Sequence, residues 1–412
     1  MAATDIPQLL AMDAVSLART IKAKQVSCRT VMGGFLDHID RINPTVNAIV
    51  SLRDRETLLK QADERDAQLA HGEYLGWLHG FPQAIKDLTA TKGIPTTQGS
   101  PLLRNFIPQT DAFVVERMKK SGAIIIGKTN TPEFGLGSQT YNNVFGTTLN
   151  AYDQTKTAGG SSGGAAVSVA LLMQVVADGT DFGGSLRNPP AFNNLFGFRA
   201  SFGRVPSGPA DEVFIRQLGY PGPIGRTVSD VALLLSVVAG PDPRDPLSIE
   251  QDPAVFLEPL KRDFRDIRIG WLGDFDGYLA MEPGILELCC DALKVLESIG
   301  CRVEEAQPDD PPEKRWACFV TLRHWLTAGN LGHFYHDPAQ REELKPEAQW
   351  EVEGALRLSA MDVYRASVDR SAVYQAASRL FKEYDYLVLP TSQVFPFAAE
   401  VHWPQEINAR SA

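Results

Sequence analysis

Thr157-Ala158-Gly159-Gly160-Ser161-Ser162-Gly163-Gly164 is followed by a second glycine-rich stretch, Gly179-Thr180-Asp181-Phe182-Gly183-Gly184-Ser185-Leu186-Arg187, whose serine lies 24 positions after Ser161. Two serines therefore sit in separate turns. Glycine lacks a Cβ, so its backbone can take positive φ and bring N–H groups close to a ligand, as an anion pocket beside a hydroxyl nucleophile requires.

Working outward from these turns, the chain alternates helices and strands. Residues 12–24 and 28–42 carry apolar side chains at helical spacing, with Ser27 as a natural N-cap. Val46–Ser51 reads as a short strand, a charged helix runs to about Leu69, and Phe81–Lys86 is an apolar strand that ends in Lys86-Asp87. A helix over Ala112–Lys120 leads into the buried strand Ala123–Gly127. Ala165–Val176 and Val228–Ala239 read as short buried helices, the first with a strand at its end. Ile267–Leu272, a helix over 284–298 and Cys301–Glu304 form a further β-α-β unit, and Tyr386–Pro390 returns to a strand. This rhythm predicts an α/β fold with a central twisted, mixed and largely parallel sheet, covered by helices on both faces. We expect a single domain over 1–412 with its motifs in 80–230, an irregular proline-rich excursion at 241–262, a helical segment on the substrate side at 312–383, and a weakly structured tail after Pro396.

Composition narrows the function classes. Apolar residues make up 44% and charged residues 22% of the chain, ordinary for a folded globular protein. The net charge of −10 and the lack of a concentrated basic face argue against a nucleic-acid partner. The five cysteines are an odd number, scattered and without a C-x-x-C pair, so neither a disulfide framework nor a cysteine zinc site is expected. Cys289 and Cys290 fall in an apolar helical pattern and read as core or near-core and not reactive. No apolar run reaches membrane-spanning length and no secretory leader is evident, so a cytoplasmic protein without a membrane partner is expected.

Gly80-Phe81-Pro82-Gln83-Ala84-Ile85-Lys86-Asp87, Gly127-Lys128-Thr129-Asn130-Thr131-Pro132-Glu133-Phe134 and the two serine turns occur in that order. Together they resemble the amidase signature family. The resemblance implies an enzyme that hydrolyses a carboxylic amide, a linear C–N bond, or transfers its acyl group. It assigns Ser185 as nucleophile, Ser161 as a bridging serine after a cis peptide bond, and Lys86 as general base. It further implies an oxyanion hole from the backbone N–H groups of Phe182, Gly183, Gly184 and Ser185. Gly160, Ser162, Thr180, Asp181 and Arg187 are expected as support, with Asp181 and Arg187 bracing the turns. No metal or organic cofactor is expected, the partner is a small-molecule amide, and a homodimer is compatible with this reading.

Elementary chemistry agrees. Serine is a weak nucleophile unless a neighbour takes its proton, and lysine can do so only when uncharged. With a reference pKa of about 10.4 it must be buried near few anions, so Asp87 is expected to point elsewhere. A hydroxyl both donates and accepts, so Ser161 can pass the proton between the two.

Other readings carry weight. Gly164-Ala165-Ala166 lacks the lysine of a phosphate-binding loop. Gly159–Gly163 also fits the G-x-S-x-G elbow, which would make Ser161 the nucleophile and require a histidine such as His324, His333, His336 or His402. The first three of these histidines lack the helical i, i+4 pair of a metal site. Tyr141, Asn142 and Asn143 fit a pocket wall or a polar loop equally well. The same signature also resembles the glutamine-hydrolysing A-type component of a tRNA-dependent amidotransferase. After Ser185 the family's usual isoleucine-arginine is Leu186-Arg187 here. Members also continue past the Leu387–Pro390 strand with further strands, so an inactive truncated fragment stands as a reading outside the enzymes.

Overall fold

The computed structural model describes residues 6–411. Two compact units emerge, one within Met1–Pro259 together with Ala398–Trp403, the other within Leu260–Phe397 and Pro404–Ala412. The division at Pro259/Leu260 falls within the irregular proline-rich excursion at 241–262. All the serine and lysine motifs lie in the first unit.

That unit opens with helices α1 (Ile6–Ala11), α2 (Ala14–Lys22) and α3 (Cys28–Val46). Ser27 caps α3 as expected, its hydroxyl accepting from the Thr30 N–H. Val31, Phe35, Leu36 and Ile39 form the buried stripe of α3, each contributing about 1.5–3 kcal/mol by leaving water. Strand β1 (Ile49–Val50) and helix α4 (Arg55–Ala70) follow, then β2 (Pro82–Lys86), α5 (Phe113–Lys120) and β3 (Ile124–Thr129). β3 pairs parallel with β2 and antiparallel with β1. The short hairpin β4 (Tyr141–Asn142) and β5 (Gly146–Thr147) precedes α6 (Gly163–Ala170), β6 (Val176–Asp181), α7 (Asn188–Phe192), β7 (Phe196–Gly197), β8 (Tyr220–Gly225) and α8 (Val228–Val238).

The expected sheet needs correction. β6 and β8 run antiparallel along six paired positions, β7 joins β8 antiparallel, and only β2 and β3 are parallel in this unit. Continuous apolar runs signal burial on both faces, which is usual for parallel strands, but here β6 has that burial beside an antiparallel partner. The sheet of the second unit is parallel: β9 (Arg268–Trp271) lies between β10 (Arg302–Glu305) and β11 (Tyr386–Val388), with α9 (Ile285–Ser298) connecting β9 to β10. The expected helical segment is α10 (Pro312–His336), α11 (Pro338–Glu343), α12 (Pro346–Leu356) and α13 (Ala360–Leu380). On α9, Ile285 is buried and Cys289 half-buried, near the core as expected, but Cys290 is exposed, contrary to that reading. The tail is ordered too. Ala398 bridges to Lys156, the Ala399 N–H donates to the Thr155 carbonyl, and β12 (Glu406–Ile407) pairs with β13 (Arg410–Ser411).

Close helix packing brings the glycine turns onto the sheet. A Cβ built on Gly164, in the first turn of α6, would stand 2.3 Å from the Asn130 nitrogen and 2.6 Å from the Ala48 carbonyl oxygen. Both are backbone atoms, so the methyl of alanine can enter only by pushing α6 off β3. Gly164→Ala is expected to lower stability by about 1–3 kcal/mol, read as a fall in the thermal midpoint. An unchanged midpoint would show that α6 is free to shift.

Candidate active site

Lys86 ends β2, and its side chain is fully buried. Its Nζ stands 2.7 Å from Ser161 Oγ, 2.8 Å from Ser162 Oγ and 2.9 Å from Thr180 Oγ1, with the Thr180 carbonyl oxygen at 3.4 Å. Three hydroxyls and a carbonyl thus surround one amine, without a carboxylate in contact. Ser162 is the N-cap residue of α6 but makes no side-chain cap bond; its hydroxyl is diverted to Lys86 and the Thr180 carbonyl. The partial positive charge of the helix start further disfavours an ammonium there.

Burial lowers the Lys86 pKa to about 7, with Asp178 and Asp181 pulling weakly the other way. Asp87 points away as expected: its carboxylate accepts from the Thr97 N–H and hydroxyl. Asp178 is a residue that sequence reasoning misses. It accepts the backbone N–H of Lys86 at 3.1 Å, and a lone acid after the apolar run Val175-Val176-Ala177 is the available signal.

The turn that holds Ser161 contains a cis Gly160–Ser161 bond. A Cβ on Gly160 would meet the Gly137 carbonyl oxygen at 2.9 Å and the Gln139 nitrogen at 3.0 Å, so glycine is needed for the close approach of the 137–139 loop. Neighbouring side chains clamp the turn. The Thr131 hydroxyl donates to the Ser161 carbonyl at 3.0 Å, and the Thr140 hydroxyl donates to the Gly159 carbonyl at 2.8 Å. Asn142 donates to the Asn130 side chain and the Thr131 carbonyl, so it serves the clamp, while Tyr141 next to it stacks on His402 at a ring distance of 4.0 Å.

Ser185 lies in the turn after β6 with 9% of its surface exposed. Among the described residues its hydroxyl has no hydrogen-bond partner. Asp181 organises this turn: it accepts the N–H groups of Gly184 and Leu186, both at 2.9 Å, and receives Arg187 through Nε at 3.0 Å and Nη2 at 2.9 Å. Gly184 takes φ +132, which L side chains rarely adopt. Its N–H, expected in the oxyanion hole, is spent on Asp181. The N–H groups of Gly183 and Ser185 carry no internal partner among the described residues. Burial raises the Asp181 pKa, but Arg187 and the two backbone donors outweigh it and hold the carboxyl below the usual range.

Two histidines of the elbow reading are bonded to other side chains. His324, on α10, is bonded to Glu351 at 2.8 Å, and His402 holds the Tyr141 hydroxyl at 3.1 Å. His333 and His336 lie on the last turn of α10. Among the described residues no group of three or more histidine, cysteine or acidic side chains is placed to hold a metal ion.

The family model described as Amidase matches residues 31–409. The chain belongs to the amidase family. An acylamidase of Rhodococcus erythropolis is 35% identical over 93% of this chain and 80% of its own length. The A-type component of the glutamyl-tRNA(Gln) amidotransferase of Carboxydothermus hydrogenoformans is 42% identical over 93% of this chain and 83% of its own. Among solved structures, a bacterial aryl acylamidase of the amidase signature enzymes superposes with a TM-score of 0.91 at 28% identity, covering 98% of this chain and 85% of that one. This amidase-family chain has no described helix long and apolar enough to cross a membrane.

Removing the carboxylate of Asp181 would strand two backbone donors and a guanidinium. Asp181→Ala is expected to cost about 2 kcal/mol, limited by the half-exposed position of Arg187. Because the folded carboxyl is held low, its stabilisation is full above the ordinary carboxylate range and fades as pH falls through the folded pKa. Thermal melts of both proteins at neutral and acid pH check this: the gap between them should narrow in acid.

Proposed function

We propose that the protein is an amidase that cleaves the C–N bond of a carboxylic amide through an acyl-enzyme on Ser185. The observation that carries this reading is the buried amine of Lys86, its pKa lowered by burial to about 7, at 2.7 Å from Ser161 Oγ, in a chain whose second serine turn presents a hydroxyl without a hydrogen-bond partner among the described residues. Ser185 Oγ attacks the carbonyl carbon; its proton passes to Ser161, whose own proton passes to the Lys86 lone pair. The two N–H groups of the amine remain on Ser162 and Thr180. Contact between Ser185 and Ser161 closes as substrate fills the turn, since catalytic hydrogen bonds tighten in the bound complex.

Negative charge on the former carbonyl oxygen is received by the N–H groups of Gly183 and Ser185, about 3 kcal/mol per donor. Collapse breaks the C–N bond, and Lys86 returns its proton through Ser161 to the departing amine. Water, its proton taken by Ser161 and passed on to Lys86, then attacks the acyl-serine ester, and Lys86 returns that proton through Ser161 to the departing Ser185 Oγ. An acyl-transfer outcome differs only in the nucleophile of that last step.

A second reading, the glutamine-hydrolysing component of a tRNA-dependent amidotransferase, draws on the 42% identity to such a protein. The two separate on the purified chain: an amidase turns over a simple anilide such as 4-nitroacetanilide or a primary amide unaided, whereas the amidotransferase reading expects negligible turnover without partners.

Phenylmethanesulfonyl fluoride tests the relay without a known substrate, because Ser185 Oγ displaces fluoride from sulfur and the adduct is read by mass. Labelling is expected at Ser185 and to rise with pH through about 7, as Lys86 loses its proton. Ser185→Ala should abolish it. Lys86→Ala should slow it at least about a thousandfold, and Ser161→Ala somewhat less. Rapid labelling of a folded Lys86→Ala protein at neutral pH would sink the assignment of the base.

A further inference from the structure

Gln139 is completely buried in the loop that packs on the Ser161 turn, and a buried amide needs partners for its donors and its acceptor. Its Nε2 donates to the Ala399 carbonyl at 2.7 Å, 260 positions further along the sequence, and its Oε1 accepts from the Thr157 hydroxyl. Thr157 Oγ1 in turn accepts the Gly159 N–H at 3.0 Å. The direction of this series is forced. A backbone carbonyl only accepts and a backbone N–H only donates, so the amide nitrogen faces Ala399 and the one hydroxyl proton of Thr157 goes to Gln139.

The series ends two residues before Ser161. Gly159 sits at φ +75 and has no side chain of its own to fix it. Its N–H is held by Thr157 and its carbonyl by Thr140, whose hydroxyl also accepts the Gly163 N–H at 3.2 Å. Gln139 therefore meets the turn twice, by its backbone nitrogen against Gly160 and by its side chain through Thr157. At the far end the Ala399 carbonyl is itself anchored. The Ala399 N–H donates to the Thr155 carbonyl at 3.0 Å, Ala398 bridges to Lys156, and His402 stacks on Tyr141. All of these residues belong to the first unit.

We propose that Gln139 is a positioning residue that carries the anchorage of the 398–403 tail through Thr157 to Gly159 and so sets Ser161 Oγ against Lys86 Nζ. This rests on the reading of Lys86 as base. A hydroxyl that relays a proton to an amine 2.7 Å away tolerates little displacement, since a shift of about 1 Å costs on the order of a hundredfold in rate. The bonds from Lys86 to Ser162 and Thr180 lie outside the series, so cutting it leaves the amine buried.

The test follows the rate of Ser185 labelling by phenylmethanesulfonyl fluoride against pH, well below the thermal midpoint of each variant. Gln139→Leu and Thr157→Val each cut the series. Both should lower the high-pH plateau at least about tenfold and leave the pH midpoint near 7, because Lys86 stays buried. Thr157→Ser keeps the hydroxyl and should keep the plateau. The double variant should label no more slowly than the slower single one, as coupled members of one network do. Ala399→Pro, which loses the N–H to Thr155, should loosen the tail and lower the plateau as well. A Gln139 with a merely structural role would lower the thermal midpoint and leave the plateau of the folded protein unchanged. That result would overturn the inference, as would a shifted pH midpoint, an equal loss in Thr157→Ser, or losses that multiply in the double variant. An unchanged plateau in Ala399→Pro would overturn the role of the tail. Lys86→Ala run in parallel separates the two failures: if it labels like the unsubstituted protein, the base reading itself falls, and if it is slow while Gln139→Leu keeps its plateau, only the role of Gln139 falls.

Discussion

An amine withdrawn from water is the constraint around which the first unit is organised. Lys86 is fully buried at the end of a strand, and hydroxyls alone, with one carbonyl, touch its nitrogen. An ammonium in such a place loses its hydration without gaining a counter-charge, so the neutral form is favoured. Any carboxylate brought into contact would reverse that preference. The surroundings keep them off the nitrogen: Asp87 is turned onto Thr97, Asp181 is claimed by Arg187, and Asp178 meets the backbone of Lys86 and not its amine.

Holding a lysine tip against two turns requires those turns to come within van der Waals range of the sheet. Glycine makes this possible at Gly160 and Gly164, where a side chain would collide with backbone of the 137–139 loop or of Asn130 and Ala48. Polar side chains then fasten what glycine leaves loose. Thr131 and Thr140 grip the Ser161 turn, and Asp181 grips the Ser185 turn through two N–H groups. Using Gly184 for that grip removes one expected backbone donor beside Gly183 and Ser185, so rigidity and charge stabilisation draw on the same short segment.

Local signals are most legible where one residue type has one physical use. Ser27 before an amphipathic stretch can be little but an N-cap, and the strand ending at Lys86 follows from a short apolar run. Sheet direction is not legible, since Val175-Val176-Ala177 is equally apolar beside a parallel or an antiparallel partner, and β6 is antiparallel to β8. The tail after Pro396 reads as weakly structured, yet Ala399 and His402 find partners in the 139–155 region, more than 240 positions earlier. Cys290 shows the reverse: helical spacing identifies a face, and the fold leaves that face exposed.

What the sequence by itself determined was the inventory of chemistry: a lysine after an apolar strand, two serines in glycine turns, an acid and an arginine flanking the second, and the order that ties them to one family. Those are properties of residue type and spacing, which short-range sterics and periodicity make readable. Only the tertiary structure decided that Ser162 and Thr180 share the lysine with Ser161, that Gly184 serves Asp181, and that Asp178 meets the backbone of Lys86. Each of these joins residues from different elements. Proton affinity depends on the sum of such surroundings, on burial and on every nearby charge, and no local pattern encodes that sum.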